Sequence, residues 1–269
     1  MYNYICITCG NQFGSTPEPP PQCPICEDER QYINPNGQAW TTHAGLLADH
    51  QTAHSELEPG LHQFWTEPKF GIGQRTLLVQ APHGNVLWDC ISMIDPPTIA
   101  FIEGLGGISA LSSSHPHMFA SMVEWSHAFG KAPIYLHRDF ERWVQRPDPV
   151  IQYWDGESLA LEAGVALHRC GGHFTGQTIL HWPDGAEGRG AVFTSDALFV
   201  NPGRREVAFM YSYPNYIPLS AGKVDRIVDA VMPLAFDRIY SHFYQREILA
   251  DGKEAIRRSA ERHKRFIRD

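Results

Sequence analysis

Five residues able to bind a metal or move a proton, His115, His117, His173, Asp196 and His242, each follow a β-prone run of this chain. That recurrence limits the folds open to it, because strand ends that converge on one edge of a sheet form a pre-shaped site with freedom in the loops around it. The first member is Ser113-Ser114-His115-Pro116-His117, after the apolar run Ile108 to Leu111. Backbone with a side-chain period of two lets both imidazoles of His-x-His turn toward one point, and Pro116 stiffens the link. Taken alone, the pair reads equally well as two surface histidines in a loop. His173 is flanked by glycines in Cys170-Gly171-Gly172-His173-Phe174-Thr175-Gly176, which frees it to approach a metal closely. Asp196 ends the buried run from Gly190, and His242 ends the short run from Asp237.

Between these points the pattern alternates. Thr76–Gln80 and Val86–Ile91 read as a strand pair around the turn Ala81–Asn85, and Thr98–Ile102 as a further strand. Asp89 falls near the end of its apolar strand, a costly place for an unpaired carboxylate, and suits a residue that orients a ligand or supports a loop. Phe119–Phe129 reads as a helix, Ala132–His137 as a strand and Asp139–Val144 as the start of another helix. Leu159–His168 and Thr178–Trp182 are β-like, Ala221–Met232 is an amphipathic helix, and a charged helix begins at Asp251. The alternation predicts an α/β protein whose strands are covered by helices. Asp49, His50, His54 and His62 lie in a polar stretch and are expected to be solvated, not ligands. Cys170 is expected to be a buried, inert thiol. Tyr211, Tyr213 and Tyr216, between Asp196 and His242, are placed to form a loop over a pocket.

The N-terminal segment obeys different physics. Cys6-x-x-Cys9 and Cys23-x-x-Cys26 are paired knuckles, each presenting two thiolates on one side of a tight turn, and together they complete a four-sulfur tetrahedral site. Gly10 permits the sharp turn after Cys9. The intervening Ser15–Gln22 is polar and proline-rich, too poor in hydrophobes to fold alone, so a metal must stand in for the missing core. In a reducing compartment two disulfides are disfavoured. The segment resembles a rubredoxin-type zinc ribbon; zinc suits a structural knuckle, although thiolate ligation also admits iron. Asn34-Pro35-Asn36-Gly37 is a turn signal within the seam Tyr32–Leu47, giving a four-cysteine module at 1–40 and a main domain at 41–269.

Composition excludes some classes. The formal net charge is -8, against a partner held by a broad basic face, so nucleic acid is not expected; Glu27-Asp28-Glu29 beside the second knuckle adds to that expectation. The basic residues after Arg257 read as the solvated face of a last helix. No apolar run is long enough to cross a bilayer, and Met1-Tyr2-Asn3-Tyr4 opens no signal-like segment, so a cytoplasmic protein with no membrane contact is the expectation. The fourteen histidines are an unusual load that fits a metal protein.

With those residues in hand, Arg75 to His242 resembles the metallo-β-lactamase-like hydrolase superfamily. Asp89 stands at the family's strand-end aspartate, and His115 and His117 match the first two histidines of its H-x-H-x-D-H motif. Gly172-His173-Phe174-Thr175-Gly176 resembles its G-H-[ST]-x-G segment, Thr194-Ser195-Asp196 its T-G-D aspartate, and His242 falls where its last histidine follows a strand. The resemblance implies a four-layer αβ/βα sandwich with the site at one edge of two sheets. The departure is Met118-Phe119-Ala120: Phe119 and Ala120 stand where the family has its Asp and second-metal His, and neither side chain can bind metal. His115, His117 and His173, with Asp196 as a fourth ligand, remain for one metal; His242 and a share of Asp196 are too few to hold a second.

A mononuclear three-histidine zinc site suits hydrolysis of a small-molecule ester, thioester, lactone or amide by metal-activated water. Asp196 and His242 are then the candidate catalytic groups, with Asp139, His137 and His127 as other possible bases. Phe119 is expected near the metal, either drying the pocket or filling the second-metal space. Two other classes stay open. One is a degenerate metal-binding or docking protein on the same fold; the other is an iron redox protein, since iron is admissible at either site. Neither the substrate nor the oligomeric state can be read from the chain.

Overall fold

A computed structural model describes residues 1–268. Alternation of side chains builds its centre. On strand Arg75–Ala81, Leu77 and Val79 face inward and Leu78 outward; on Gly84–Trp88, Val86 and Trp88 face inward and Leu87 outward. The second sheet repeats this, with Leu180, Trp182, Ala191, Phe193 and Tyr240 inward and Ile179, Val192 and Ile239 outward. The inward sets of both sheets form one continuous apolar layer, as period-two strands covered on both faces must.

The first sheet has seven strands. In spatial order these are Ile151–Trp154, Ile134–His137, Ala110–Ser112, Gly84–Trp88, Arg75–Ala81, Leu61–Glu67 and Gln51–Glu58. The second has six, in the order Ser158–Ala160, Ala166–Arg169, Thr178–Trp182, Ala191–Phe193, Arg238–Tyr240 and Glu247–Ile248. Helices Pro96–Gly104 and Met122–Ala128 cover the outer face of the first sheet; Ala221–Val231 and Gly252–Phe266 cover that of the second. The result is the four-layer αβ/βα sandwich expected from the sequence.

Local expectations were overturned where a cap or a turn outweighed β propensity. Thr98–Ile102 is not a strand but part of the helix Pro96–Gly104. The Asp95 side chain accepts the Thr98 N–H at 3.0 Å, and proline opens the first turn, so a strong helix start overrides the β-branched run. The helix expected over Phe119–Phe129 is confined to Met122–Ala128, because Pro116–Met118 is a 3₁₀ turn and Ala120 takes φ 43°. Arg138–Trp143 is 3₁₀, not α. The polar stretch expected to be solvated folds as the hairpin Gln51–Glu58/Leu61–Glu67 at the sheet's edge, where His54 and His62 pack against Phe101 and His62 is buried; neither belongs to a cluster of three or more metal-binding donors among the described residues.

The N-terminal segment forms a three-stranded sheet in the order Gln12–Thr16, Tyr2–Cys6, Trp40–Thr42. It docks on the segment that departs from the family motif: Gln12 N–H donates to Ala120 O at 3.1 Å and Asn11 Nδ2 to Pro116 O at 3.2 Å.

Candidate metal centre

The two knuckles bring four buried thiols together, with Cys6 and Cys26 Sγ 3.6 Å apart and Cys9 and Cys23 Sγ also 3.6 Å apart. Metal–sulfur bonds of about 2.3 Å in a tetrahedron give sulfur–sulfur edges of about 3.8 Å, so the four cysteines fit a metal and are too far apart for disulfides. Gly10, at φ 81°, makes the tight turn; a Cβ there would lie 2.6 Å from Ser92 Oγ. Amides of Gln38 and Asn11 approach the Cys6 and Cys9 sulfurs at 3.1 and 3.6 Å.

The second centre joins both sheets. His115 and His117 follow strand Ala110–Ser112, His173 follows Ala166–Arg169, Asp196 follows Ala191–Phe193, and His242 follows Arg238–Tyr240. One donor atom each from His115, His117, His173 and Asp196 lies within 4.8 Å of the others, and all four residues are buried. Asp196 Oδ2 stands 3.2 Å from His115 Nε2, 3.5 Å from His173 Nε2 and 3.9 Å from His117 Nδ1. His173 Nε2 and His117 Nδ1 are 3.4 Å apart. Ligand bonds of about 2.0–2.1 Å in a tetrahedron give edges of about 3.3 Å, so the set is dimensioned for one ion. His115 Nε2 and His117 Nε2 are buried without a hydrogen-bond partner, which a protein interior tolerates poorly unless something else engages the imidazoles. His242 Nε2 meets the other oxygen, Asp196 Oδ1, at 3.2 Å.

The far sides of the imidazoles are fixed. Asp89 Oδ1 accepts the Ser114 N–H at 2.8 Å and its hydroxyl at 2.7 Å, and Ser114 Oγ lies 2.9 Å from His115 Nδ1. With that hydroxyl proton on Asp89, Ser114 accepts from His115 Nδ1–H and leaves the Nε2 lone pair for the centre. Met210 O takes Nδ1–H of His173 in the same way, at 3.1 Å. Asp89 is held in the left-handed region at φ 57°, a strain that persists because its carbonyl, amide and side chain are all engaged. Burial pushes its carboxyl up to about 7, against the Ser114 hydrogen bonds.

Burial keeps His115, His173 and His242 neutral. Burial drives His115 well below its ordinary value, His173 down to about 3 and His242 down to about 4, with Asp196 only partly opposing. Burial alone would raise Asp196, but His242, His115 and His117 around it hold it well below the usual carboxylate range. Neutral imidazoles and an ionised carboxylate are the forms that bind a metal.

A cavity of about 210 Å³ opens onto this centre, with His117, His173, Asp196 and His242 on its floor. Its walls were not foreseen. Arg30, Gln31 and Tyr32 come from the chain after the second knuckle, and Lys69, Gly71 and Ile72 from the loop before strand Arg75–Ala81. Arg30 donates to Asp28 at 2.6 and 2.8 Å and to His173 O at 3.2 Å, with its guanidinium 3.9 Å from the Phe174 ring centre. Of the aromatic loop, Tyr213 lines the cavity, Tyr211 bonds Glu29, and Tyr216 is exposed. Ser212 Oγ donates to Arg30 O and Asn215 Nδ2 to Glu29 O and Gln31 O, so this loop clasps the second knuckle's exit.

Phe119 corrects an expectation. It does not line the pocket; it packs in the outer core, 5.8 Å from Phe140. His137 instead accepts the Asp139 N–H and caps a 3₁₀ turn, His127 faces Asp148, and Asp139 pairs with Arg169. None of the three lines the cavity over the centre. Cys170 is fully buried, and its thiol is pushed up to about 12 by burial, as an inert side chain should be.

No family model matches the chain. It is 47% identical over 265 residues to YmaE of Bacillus subtilis (strain 168), itself described as uncharacterized, covering 98% of this chain and 96% of that one. Among solved structures it is similar to the metallo-β-lactamase FIM-1 from Pseudomonas aeruginosa in its mono-zinc form. That likeness has 14% identity and TM-score 0.58, covering 80% of this chain and 96% of that one. The metallo-β-lactamase TMB-1 matches with 10% identity and TM-score 0.58, over 80% and 98%. These likenesses establish a metallo-β-lactamase fold.

Proposed function

This chain belongs to the same family as YmaE, and we propose that it is a metal-dependent hydrolase of a small ester, thioester, lactone or amide. The supporting observation is the four-donor set of His115, His117, His173 and Asp196, dimensioned for one ion at the floor of a cavity. A zinc ion held there by these residues would supply Lewis-acid chemistry, lowering the pKa of a bound water toward about 7 and polarising an acyl carbonyl. The chain's own residues do the rest. Asp89 and Ser114 orient His115, and Met210 O with the Arg30 contact to its carbonyl orients His173. Asp196 Oδ1 and His242 Nε2, 3.2 Å apart, can hold and pass one proton between them, which makes them the catalytic acid–base pair in this reading. The cavity is smaller than a drug-sized pocket of about 300–1,000 Å³, which suits a small substrate.

Phe119 and Ala120 offer no donors, so one metal is expected at this centre and one in the ribbon, both zinc. Metal analysis of the purified protein should give two ions per chain; three would refute the mononuclear reading. A colourless protein supports zinc in the ribbon, whereas the visible absorption of ferric thiolate would support the redox alternative. The same missing donors favour, as second reading, a protein that keeps the metal without catalysis. Assay of the zinc-reconstituted protein on ester, thioester and lactone substrates beside His117→Ala separates the two. Turnover lost with the histidine supports hydrolysis; turnover unchanged by it removes the hydrolase reading.

A further inference from the structure

The cavity holds two cationic side chains, and they differ in what is left for a ligand. The charge of Arg30 is paired: Nε and one terminal nitrogen bind the Asp28 carboxylate, and the other terminal nitrogen binds His173 O, leaving one N–H on each terminal nitrogen but no unpaired charge. Lys69 makes no ion pair among the described residues, yet it lines the same cavity. Its stem lies across Gly73, where a Cβ would come within 2.4 Å of Lys69 Cε, so the absence of a side chain at 73 leaves room for this course. The nearby carboxylates are otherwise engaged: Asp28 by Arg30, Glu29 by Tyr211, Glu67 by the Trp65 indole, and Asp196 by the imidazoles. Tyr32, Ile72, Pro214 and Phe243 add apolar wall between these polar ends.

The geometry points to a substrate that carries a carboxylate, held by the Lys69 ammonium while the scissile acyl group meets the histidine centre. This rests on the hydrolase reading above and names its substrate class. One unpaired positive charge at Lys69, with that of Arg30 neutralised by Asp28, matches a monoanion better than a phosphate dianion. The net charge of -8 makes a local cationic mouth selective, because the rest of the surface repels anions in general. In the reaction, water oxygen forms the new bond to the acyl carbon as the acyl C–O bond breaks; one water proton goes to the leaving oxygen, giving the alcohol or phenol, and the other is released as the acyl part becomes a carboxylate.

The test compares the zinc-loaded full chain on mono-4-nitrophenyl glutarate and on neutral 4-nitrophenyl pentanoate. The kcat/KM ratio of anionic to neutral ester should exceed tenfold, fall at least tenfold in Lys69→Ala, invert in Lys69→Glu and be largely retained in Lys69→Arg. A ratio equal in the wild type and Lys69→Ala overturns the assignment. Lys69 is exposed, so these variants should keep the wild-type melting temperature. A second arm is independent of turnover: calorimetric titration with glutarate and with phenyl phosphate. Glutarate binding weakened at least tenfold in Lys69→Ala supports the carboxylate subsite even where no ester is hydrolysed, which would count against the hydrolase reading alone. Glutarate binding indifferent to Lys69, or phenyl phosphate bound more tightly through the same lysine, overturns it.

Discussion

The thiolate and imidazole centres are both four-donor clusters of buried side chains, yet they are built for different ends. The sulfurs are spaced for a closed tetrahedron, their surroundings are Phe13, Ile25, Trp40 and Trp143, and they are absent from the walls of the cavity described above. The imidazole centre has the same compactness but opens onto a cavity, and a further histidine meets the unused oxygen of its carboxylate. Closed coordination is what a structural site requires, and an open face is what a catalytic one requires. The two centres are also joined by direct contacts. Asn11 reaches both Cys9 Sγ and Pro116 O, and Arg30, four residues beyond Cys26, walls the cavity and holds the His173 carbonyl.

The largest break in that comparison should come at the thiolates. Structural zinc contributes on the order of 10 kcal/mol to a small ribbon, so Cys23→Ser with Cys26→Ser should unfold the N-terminal sheet. Hydrogen exchange should show protection lost over residues 1–42, with one metal fewer per chain. Because Arg30 is carried by the same segment, the imidazole centre should also bind its metal more weakly; unchanged affinity there would uncouple the two.

His117→Ala should do the reverse, removing the second metal and leaving the ribbon's. Outer-shell substitutions cost about 10–100-fold, so loss of a ligand should exceed about 100-fold in any hydrolytic kcat/KM. Retention of both metals by the variant would remove His117 from the ligand set.

Ser114→Ala and Asp89→Asn should be milder, about 10–100-fold in metal affinity measured against a competing chelator, since they free His115 without deleting it. Equal affinities in variant and wild type would reduce the Asp89–Ser114–His115 chain to a loop support.

The smallest effect is in pH. His173 falls to about 3 and His242 to about 4 in the folded chain, below the ordinary value of 6.5. Below that ordinary value the unfolded chain takes up protons that the folded chain refuses, so stability falls with acid until the folded values are passed. Chelator-treated protein should therefore lose about 1 kcal/mol per histidine between pH 6.5 and 5.5, read from urea midpoints. A flat profile across that window would mean that these imidazoles are not kept neutral by burial.

Much was legible in the chain because it depends on local chemistry. Cys-x-x-Cys twice, His-x-His after a strand, a glycine-flanked histidine and a strand-end aspartate carry their spacing with them, and period-two apolar runs name the sheets. Thr98–Ile102 misled because a cap three residues upstream decides a helix more strongly than β-branched side chains resist it. The hairpin over 51–67 is hard to read because neither its polar edge strand nor the strand beside it shows a clean apolar alternation. Phe119 was read from its motif position, whereas Ala120's left-handed turn and the docked ribbon send it into the core.

The sequence by itself determined the donors, their order and the absence of two of them at Phe119 and Ala120, since residue type and spacing suffice for that. Only the tertiary structure decided that Arg30 and Lys69, 39 positions apart in number, wall one cavity above His117 and His242. No periodicity marks either residue. They meet because the ribbon, the 210–218 loop and the turn before Arg75 pack on the same sheet edge, and such long-range packing leaves no local trace in a chain.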